Sequence, residues 1–201
     1  MNRLAIFDCD GTLVDSGATI HRALDQTFAA HALDCPPRAE AQKVIGLSLE
    51  QAMARLAPDA DHGALAETYK DAFIAMRGAG AVEEPLFPGI AELLDELEAD
   101  GWLLGVATGK SLRGLKHCLA SHGLEGRFVT LQTADGNPSK PHPAMAFNAM
   151  AEAGADPATT FLVGDTAWDM GCARAAGCTA IGAAWGYHSV AELLADGAEH
   201  V

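Results

Sequence analysis

Positive charge is scarce in this chain: 13 lysines and arginines face 27 aspartates and glutamates, a formal net charge of −14 over 201 residues. A field of that sign repels nucleic acid and anionic membrane surfaces, so neither is an expected partner. It leaves room for a small anion in a locally electropositive pocket. Long apolar runs are also missing. No stretch approaches the roughly 18 uninterrupted apolar residues of a membrane span, and the opening Met1-Asn2-Arg3-Leu4-Ala5 lacks the apolar core of a signal peptide. A soluble, cytoplasmic protein is expected. The five cysteines (Cys9, Cys35, Cys118, Cys172 and Cys178) form no C-x-x-C pair, and the eight histidines show no H-x-x-x-H or H-E-x-x-H spacing. Both absences argue against a disulfide framework and a zinc site, and the thiols are expected to be reduced and mostly buried.

Hydrophobic residues make up 49% of the chain, enough for one α/β core with a small accessory module. Short apolar runs ending in polar or glycine residues read as buried strands: Leu4 to Phe7, Trp102 to Ala107, Phe128 to Gln132, Thr160 to Val163 and Thr179 to Ala184. Helical stretches such as Ile90 to Ala99 and Ala144 to Ala153 alternate with them, which predicts a parallel sheet covered on both faces, with ligands beyond the strand C-termini. Between the first and second strands the alternation stops. Ala18 to His31, Arg38 to Ile45, Leu49 to Leu56 and Gly63 to Arg77 read as successive helices, bounded by Ser16-Gly17 and by a return linker at Glu83-Glu84-Pro85. The expected division is a catalytic core of residues 1–15 and 88–201 with a helical insertion of residues 16–87.

Polar clusters fall at the expected strand ends. Asp8 and Asp10, in Phe7-Asp8-Cys9-Asp10-Gly11-Thr12-Leu13-Val14-Asp15-Ser16, crowd two carboxylates that a cation or unequal protonation would relieve. That suits a metal site where one carboxylate attacks and the other carries a proton, although a surface Asp-Gly turn is the competing reading. Thr108-Gly109-Lys110 offers a hydroxyl and free amides for phosphate oxygens, or simply a turn. Asp165 and Asp169 lie four residues apart where a strand passes into a helix, so both can face one site, with a helix cap as the alternative for Asp165.

The string from Asp8 to Ser16 resembles the first motif of the haloacid dehalogenase-like hydrolase superfamily, D-x-D-G-T-[LV]-x-[DS]-[ST]. The later motifs follow in order: Val106-Ala107-Thr108-Gly109-Lys110, then Ser139-Lys140-Pro141-His142-Pro143, similar to K-P-x-P, then Val163-Gly164-Asp165-Thr166-Ala167-Trp168-Asp169. The resemblance implies a Rossmann-like core in which Asp8 is the nucleophile and Asp10 the general acid and base. Thr108 and Gly109 would hold the phosphoryl group and Lys140 would balance its charge. Asp8, Asp165 and the Asp10 carbonyl would bind Mg2+, with Asp169 behind them or orienting Lys140; hard oxygen ligands fit magnesium. A helical cap after the first motif is similar to the branch holding phosphoglycolate phosphatase, pyrophosphatases and β-phosphoglucomutase. Ile45-Gly46-Leu47-Ser48-Leu49 and Trp185-Gly186-Tyr187 look most like its phosphoglycolate phosphatase-like members, which commonly carry a further short helix beyond the equivalent of Val201.

The expected activity is magnesium-dependent hydrolysis of a small phosphorylated metabolite, a phosphoglycolate-like monoester, through an aspartyl-phosphate, by a monomer or small homo-oligomer. A phosphomutase or a pyrophosphatase is the alternative on the same core. A non-catalytic phosphate-binding module would be expected to have lost a motif carboxylate, and none is lost. Within the cap, Lys43 and the Gly46-Leu47-Ser48 turn are candidates for substrate contact, against a solvated lysine and a helix-ending glycine.

Overall fold

The computed structural model describes every residue from Met1 to Val201. Its strands are β1 (Asn2–Phe7), β2 (Trp102–Thr108), β3 (Phe128–Thr133), β4 (Ala155–Gly164) and β5 (Thr179–Gly182). Its α-helices are α1 (Gly17–Ala30), α2 (Arg38–Gln42), α3 (Leu49–Leu56), α4 (His62–Gly78), α5 (Ile90–Ala99), α6 (Leu112–Ser121), α7 (Ala144–Ala153), α8 (Ala167–Ala176) and α9 (Val190–Ala195). The strands form one parallel sheet in the order β3-β2-β1-β4-β5, so the chain leaves β1 toward one edge and returns to its other side. The crevice of such a sheet opens where that order reverses, beyond the C-terminal end of β1.

Alternation along β1 splits the core into two layers. Leu4 and Ile6 pack with Met145, Ala149 and Met150 of α7 and with Met170 and Ala173 of α8. Ala5 and Phe7 pack instead with Ile90 and Leu94 of α5 and with Leu115 and Cys118 of α6. Leu4, Ile6 and Phe7 are wholly buried, each stabilising the fold by about 1.5–3 kcal/mol. That anchoring holds the residues after Phe7 in place.

Helices α1 to α4 form the insertion, around a small apolar cluster of their own: Leu24, Phe28, Ala41, Met53 and Leu65. The chain enters and leaves it by two segments lying side by side. The Asp15 amide donates to the Pro85 carbonyl at 2.8 Å and the Phe87 amide to the Leu13 carbonyl at 3.0 Å. Thr19 ties in the same strap, its hydroxyl donating to the Glu83 carbonyl at 2.7 Å.

Two elements differ from the expected spans by three residues or more; the others agree to within two residues at each end. The second cap helix stops at Gln42 instead of Ile45, because the amides of Lys43, Val44 and Ile45 bond three residues back and the chain then turns through Gly46 at φ +93°. Strand β4 starts at Ala155 instead of Thr160, because Asn2 pairs with Ala155 across a register shift.

Candidate active site

The floor of the site is made by three strand ends. Phe7 pairs with Val106 and with Val163, so Asp8, Thr108 and Asp165 emerge from adjacent strands at one level of the sheet. Asp8, Asp165, Asp169 and Lys140 are fully buried, and one carboxylate oxygen from each aspartate lies within 4.8 Å of the others. The Lys140 ammonium stands 3.0 Å from Asp8 Oδ1 and 2.5 Å from Asp169 Oδ1, and donates to the Ala107 carbonyl at 3.2 Å. Asp169 occupies the first turn of α8 in a capping box, its Oδ2 accepting from the Thr166 hydroxyl at 2.6 Å and amide at 3.1 Å. Asp165 accepts from the Thr12 hydroxyl at 3.0 Å and the Tyr187 amide at 2.9 Å. Gly11, at φ +90°, passes so close that a Cβ there would stand 2.7 Å from Asp165 Oδ1. Neither oxygen of Asp8 receives a hydrogen bond.

Three carboxylates against one ammonium leave an excess of negative charge in a site closed to water. Burial pushes the Asp8 carboxyl up to about 7 against the pull of Lys140, and Asp169 and Asp10 add to the rise. Burial likewise drives Asp165 well above the carboxylate range, helped by Asp169 and Asp8. Burial alone would lower the Lys140 ammonium, but the two carboxylates facing it outweigh that and hold it above the ordinary lysine value. Such an excess is what a divalent cation neutralises. Oxygen donors alone, with two unbonded oxygens on Asp8, fit a hard ion of the magnesium type.

Asp10 stands apart from that cluster. Its Oδ1 accepts from the Ser16 hydroxyl at 2.6 Å and from the Lys110 ammonium at 2.7 Å. Lys110 also pairs with Glu84 Oε1 at 2.8 Å, and both side chains are almost wholly buried. Sequence reasoning did not single out Ser16, Lys110 or Glu84 as site residues. Lys110 had a signal, two residues past Thr108 in a motif string; Glu84, on the return segment of the strap, had none.

The cap rests on this floor. The Ser48 amide donates to Ser139 Oγ at 2.8 Å, the Trp168 indole donates to the Lys43 carbonyl at 3.1 Å, and the Arg55 guanidinium lies 4.4 Å from the Trp168 ring centroid. Gly109 meets the cap backbone: a Cβ there would run into the Leu47 carbonyl and stand 2.8 Å from the Gly46 carbonyl oxygen. Gly46 thus reaches the site, whereas the Lys43 ammonium turns to Glu40 at the surface, 2.8 Å away. Cap and core enclose a cleft of about 640 Å3 that Asp10, Gly46, Gly109, Lys110 and Ser139 help to line. A second cavity, of about 680 Å3 behind the strap, is lined by Arg77, His117 and His122 and touches none of the motif residues.

Fold and site together define a class: a hydrolase of the phosphatase type on a Rossmann-like α/β core, with a magnesium-type cation site among its aspartates and a helical insertion over it. The chain belongs to the haloacid dehalogenase-like hydrolase family, whose model matches residues 5–183. It is 37% identical to Probable phosphatase IndB of Dickeya dadantii, over 97% of this chain and 86% of that protein. It is 32% identical to a phosphoglycolate phosphatase of Yersinia pestis, over 90% of this chain and 81% of the relative. The crystal structure of a hydrolase from Pseudomonas syringae superposes with a TM-score of 0.87 at 25% identity, covering 100% of this chain and 93% of that one. No helix is long and apolar enough to cross a membrane.

Proposed function

We propose that the protein hydrolyses a small phosphorylated metabolite by forming an aspartyl-phosphate on Asp8, with residues 1–15 and 88–201 as catalytic core and 16–87 as cap. The observation that carries this reading is the state of Asp8: it is wholly buried, both its oxygens lack a hydrogen bond, and Lys140 stands 3.0 Å from Oδ1. A buried carboxylate whose one close polar partner is Lys140 keeps lone pairs for a cation and for phosphorus. The carboxylates of Asp8 and Asp165 and the main-chain carbonyl of Asp10 would hold magnesium. Asp169, both of whose oxygens are engaged, would orient Lys140. When bound, magnesium supplies positive charge to the phosphoryl oxygens and to the attacking carboxylate.

In the first half-reaction an Asp8 oxygen bonds to phosphorus as the ester P–O bond breaks. Asp10 delivers its proton to the departing alkoxide. Ser16 and Lys110 hold Asp10 Oδ1, so Oδ2 is the oxygen free to carry that proton, and Asp10 lines the cleft where the alcohol would sit. In the second half-reaction Asp10 takes a proton from water, which attacks phosphorus and restores Asp8. Thr108, at the end of β2, and the amides around Gly109 would hold the transferring oxygens. The likeness to a phosphoglycolate phosphatase supports a phosphorylated two-carbon acid as one candidate substrate.

Release of phosphate from nitrophenyl phosphate tests the reading. Activity should vanish in excess chelator and return with magnesium, while calcium should compete without supporting turnover, since its looser coordination spoils the line of attack. Full activity in excess chelator would reject it.

A further inference from the structure

Charge in the cleft runs against the charge of the chain. Lys70, Arg77, Lys110 and Arg113 line it, opposed by Asp10, Glu50 and Asp135, although acidic residues outnumber basic ones 27 to 13 in the whole sequence. An anion is therefore drawn here in preference to the rest of the surface. Three of the four cations are already engaged or lie in water. Lys110 is shared between Asp10 at 2.7 Å and Glu84 at 2.8 Å, Lys70 pairs with Glu67 at 2.6 Å, and Arg113 is exposed.

Arg77 is the exception. It is half-buried near the end of α4, makes no ion pair, and its Nη2 is buried with no hydrogen-bond partner. Its other guanidinium nitrogens are not closed off. A cation that has lost part of its water and gained no partner is costly, and an anion at the open edge of the guanidinium fork would relieve it.

Arg77 borders both the cleft and the cavity behind the strap. Its guanidinium carbon lies 5.4 Å from the Phe73 ring centroid, and Phe73 lines the cleft but not the second cavity. The Lys110 ammonium stands 5.8 Å from the centroid of the same ring. Phe73 thus carries two cations, one that holds Asp10 and one that holds nothing. The second cavity suits an anion less well, because Glu83 and Glu84 both line it.

Resting on the phosphatase reading above, we propose that the cleft takes a phosphomonoester whose alcohol carries a second anionic group, a carboxylate or another phosphate, and that Arg77 is the specificity residue that receives it. With the leaving oxygen at Asp10, the rest of the alcohol runs along Phe73 toward the guanidinium. Lys110 stays on Asp10 and Glu84, so discrimination between charged and neutral alcohols falls to Arg77.

The experiment compares kcat/KM of the magnesium-loaded enzyme within matched pairs that differ by the second charge. They are phosphoglycolate with 2-hydroxyethyl phosphate, 3-phosphoglycerate with glycerol 3-phosphate, and propane-1,3-diyl bisphosphate with 3-hydroxypropyl phosphate. The first two pairs read a carboxylate and the third a phosphate. In at least one pair the charged member should lead by about tenfold or more, chiefly through KM. Arg77→Gln should shrink that lead about tenfold and leave the neutral member where it was. Arg77→Lys keeps the charge without the fork and should recover part of the lead. Arg38→Gln makes the same charge change at an exposed cap residue outside the cleft and should not alter it. A variant that merely damages the fold lowers both members together, so the ratio still reads the site. No preference for the charged member in any pair, or a preference that survives Arg77→Gln, would overturn the proposal while hydrolysis of nitrophenyl phosphate kept the phosphatase reading intact. Failure to release phosphate from any ester would remove that reading and this inference with it.

Discussion

The floor and the roof of the cleft face the same space and are built by opposite rules. On the floor, Asp8, Lys140, Asp165 and Asp169 are fully buried, and Lys140 alone links Asp8, Asp169 and the Ala107 carbonyl. Breaking one member of a buried ionic set costs about 3–5 kcal/mol, because the others are left unpaired. The roof is apolar and meets the core through a few ties, Ser48 to Ser139 and Lys43 to Trp168 among them, each contributing about 1 kcal/mol. A floor so heavily constrained keeps one geometry, whereas a roof so lightly tied can lift and be reshaped. The proposed function assigns chemistry to the first and selection to the second.

Variants on the floor should therefore cost the most and spare no substrate. Asp8→Asn removes the proposed nucleophile, and turnover should fall by at least about a thousandfold on every ester. A residual rate of about a tenth of wild type would show that the nucleophile lies elsewhere. Asp10→Asn comes next, at about a hundredfold. Since its proton matters only to a poor leaving group, the loss should be smaller on nitrophenyl phosphate than on an alkyl phosphate. Equal losses on the two would separate Asp10 from proton transfer.

How much of this could be read from the chain follows the same division. The five strands and the insertion were legible because each apolar run is short and contiguous, and because helix after helix interrupts a regular alternation. Asp8, Thr108, Lys140, Asp165 and Asp169 stood out because each lies in a motif string. Their convergence is then set by strand register, Phe7 beside Val106 and Val163. Glu84 did not stand out. It reaches Lys110 across 26 residues of chain, a meeting decided only when the strap folds beside Leu13 and Asp15. Lys43 shows the converse: its backbone carbonyl takes the Trp168 indole, and its ammonium has an i−3 glutamate, Glu40, at hand. The apolar roof was hidden for another reason. Val44 and Ile45 read equally well as cap core, and whether they face inward or toward the cleft depends on the turn after Gln42.

Between floor and roof lies Gly109, the point where the comparison can be sharpened. The atoms nearest a Cβ at this position all belong to the cap backbone at Gly46 and Leu47, so Gly109→Ala should push the roof off an intact floor. We expect about a tenfold to hundredfold loss of kcat/KM on the preferred ester, a smaller loss on nitrophenyl phosphate, and little change in thermal stability. Losses of equal size on both esters would place the strain in the phosphate-binding turn instead of the cap.

The smallest expected effect tests the weakest tie. Ser139→Ala deletes the acceptor of the Ser48 amide and removes nothing from the cap itself. Losing one such bond costs about 1 kcal/mol, which corresponds to about fivefold. That fivefold should appear in KM for the preferred ester, because a loosened roof binds less well, with kcat on nitrophenyl phosphate unchanged. Ser139→Thr keeps a hydroxyl and should recover most of the loss. Ser139 also precedes Lys140, so a purely local disturbance has a different signature: a fall of about a hundredfold in kcat on both esters, the scale set by the floor. That outcome would mean that Ser139 positions Lys140, and that the boundary between the two regions runs on the cap side of this residue.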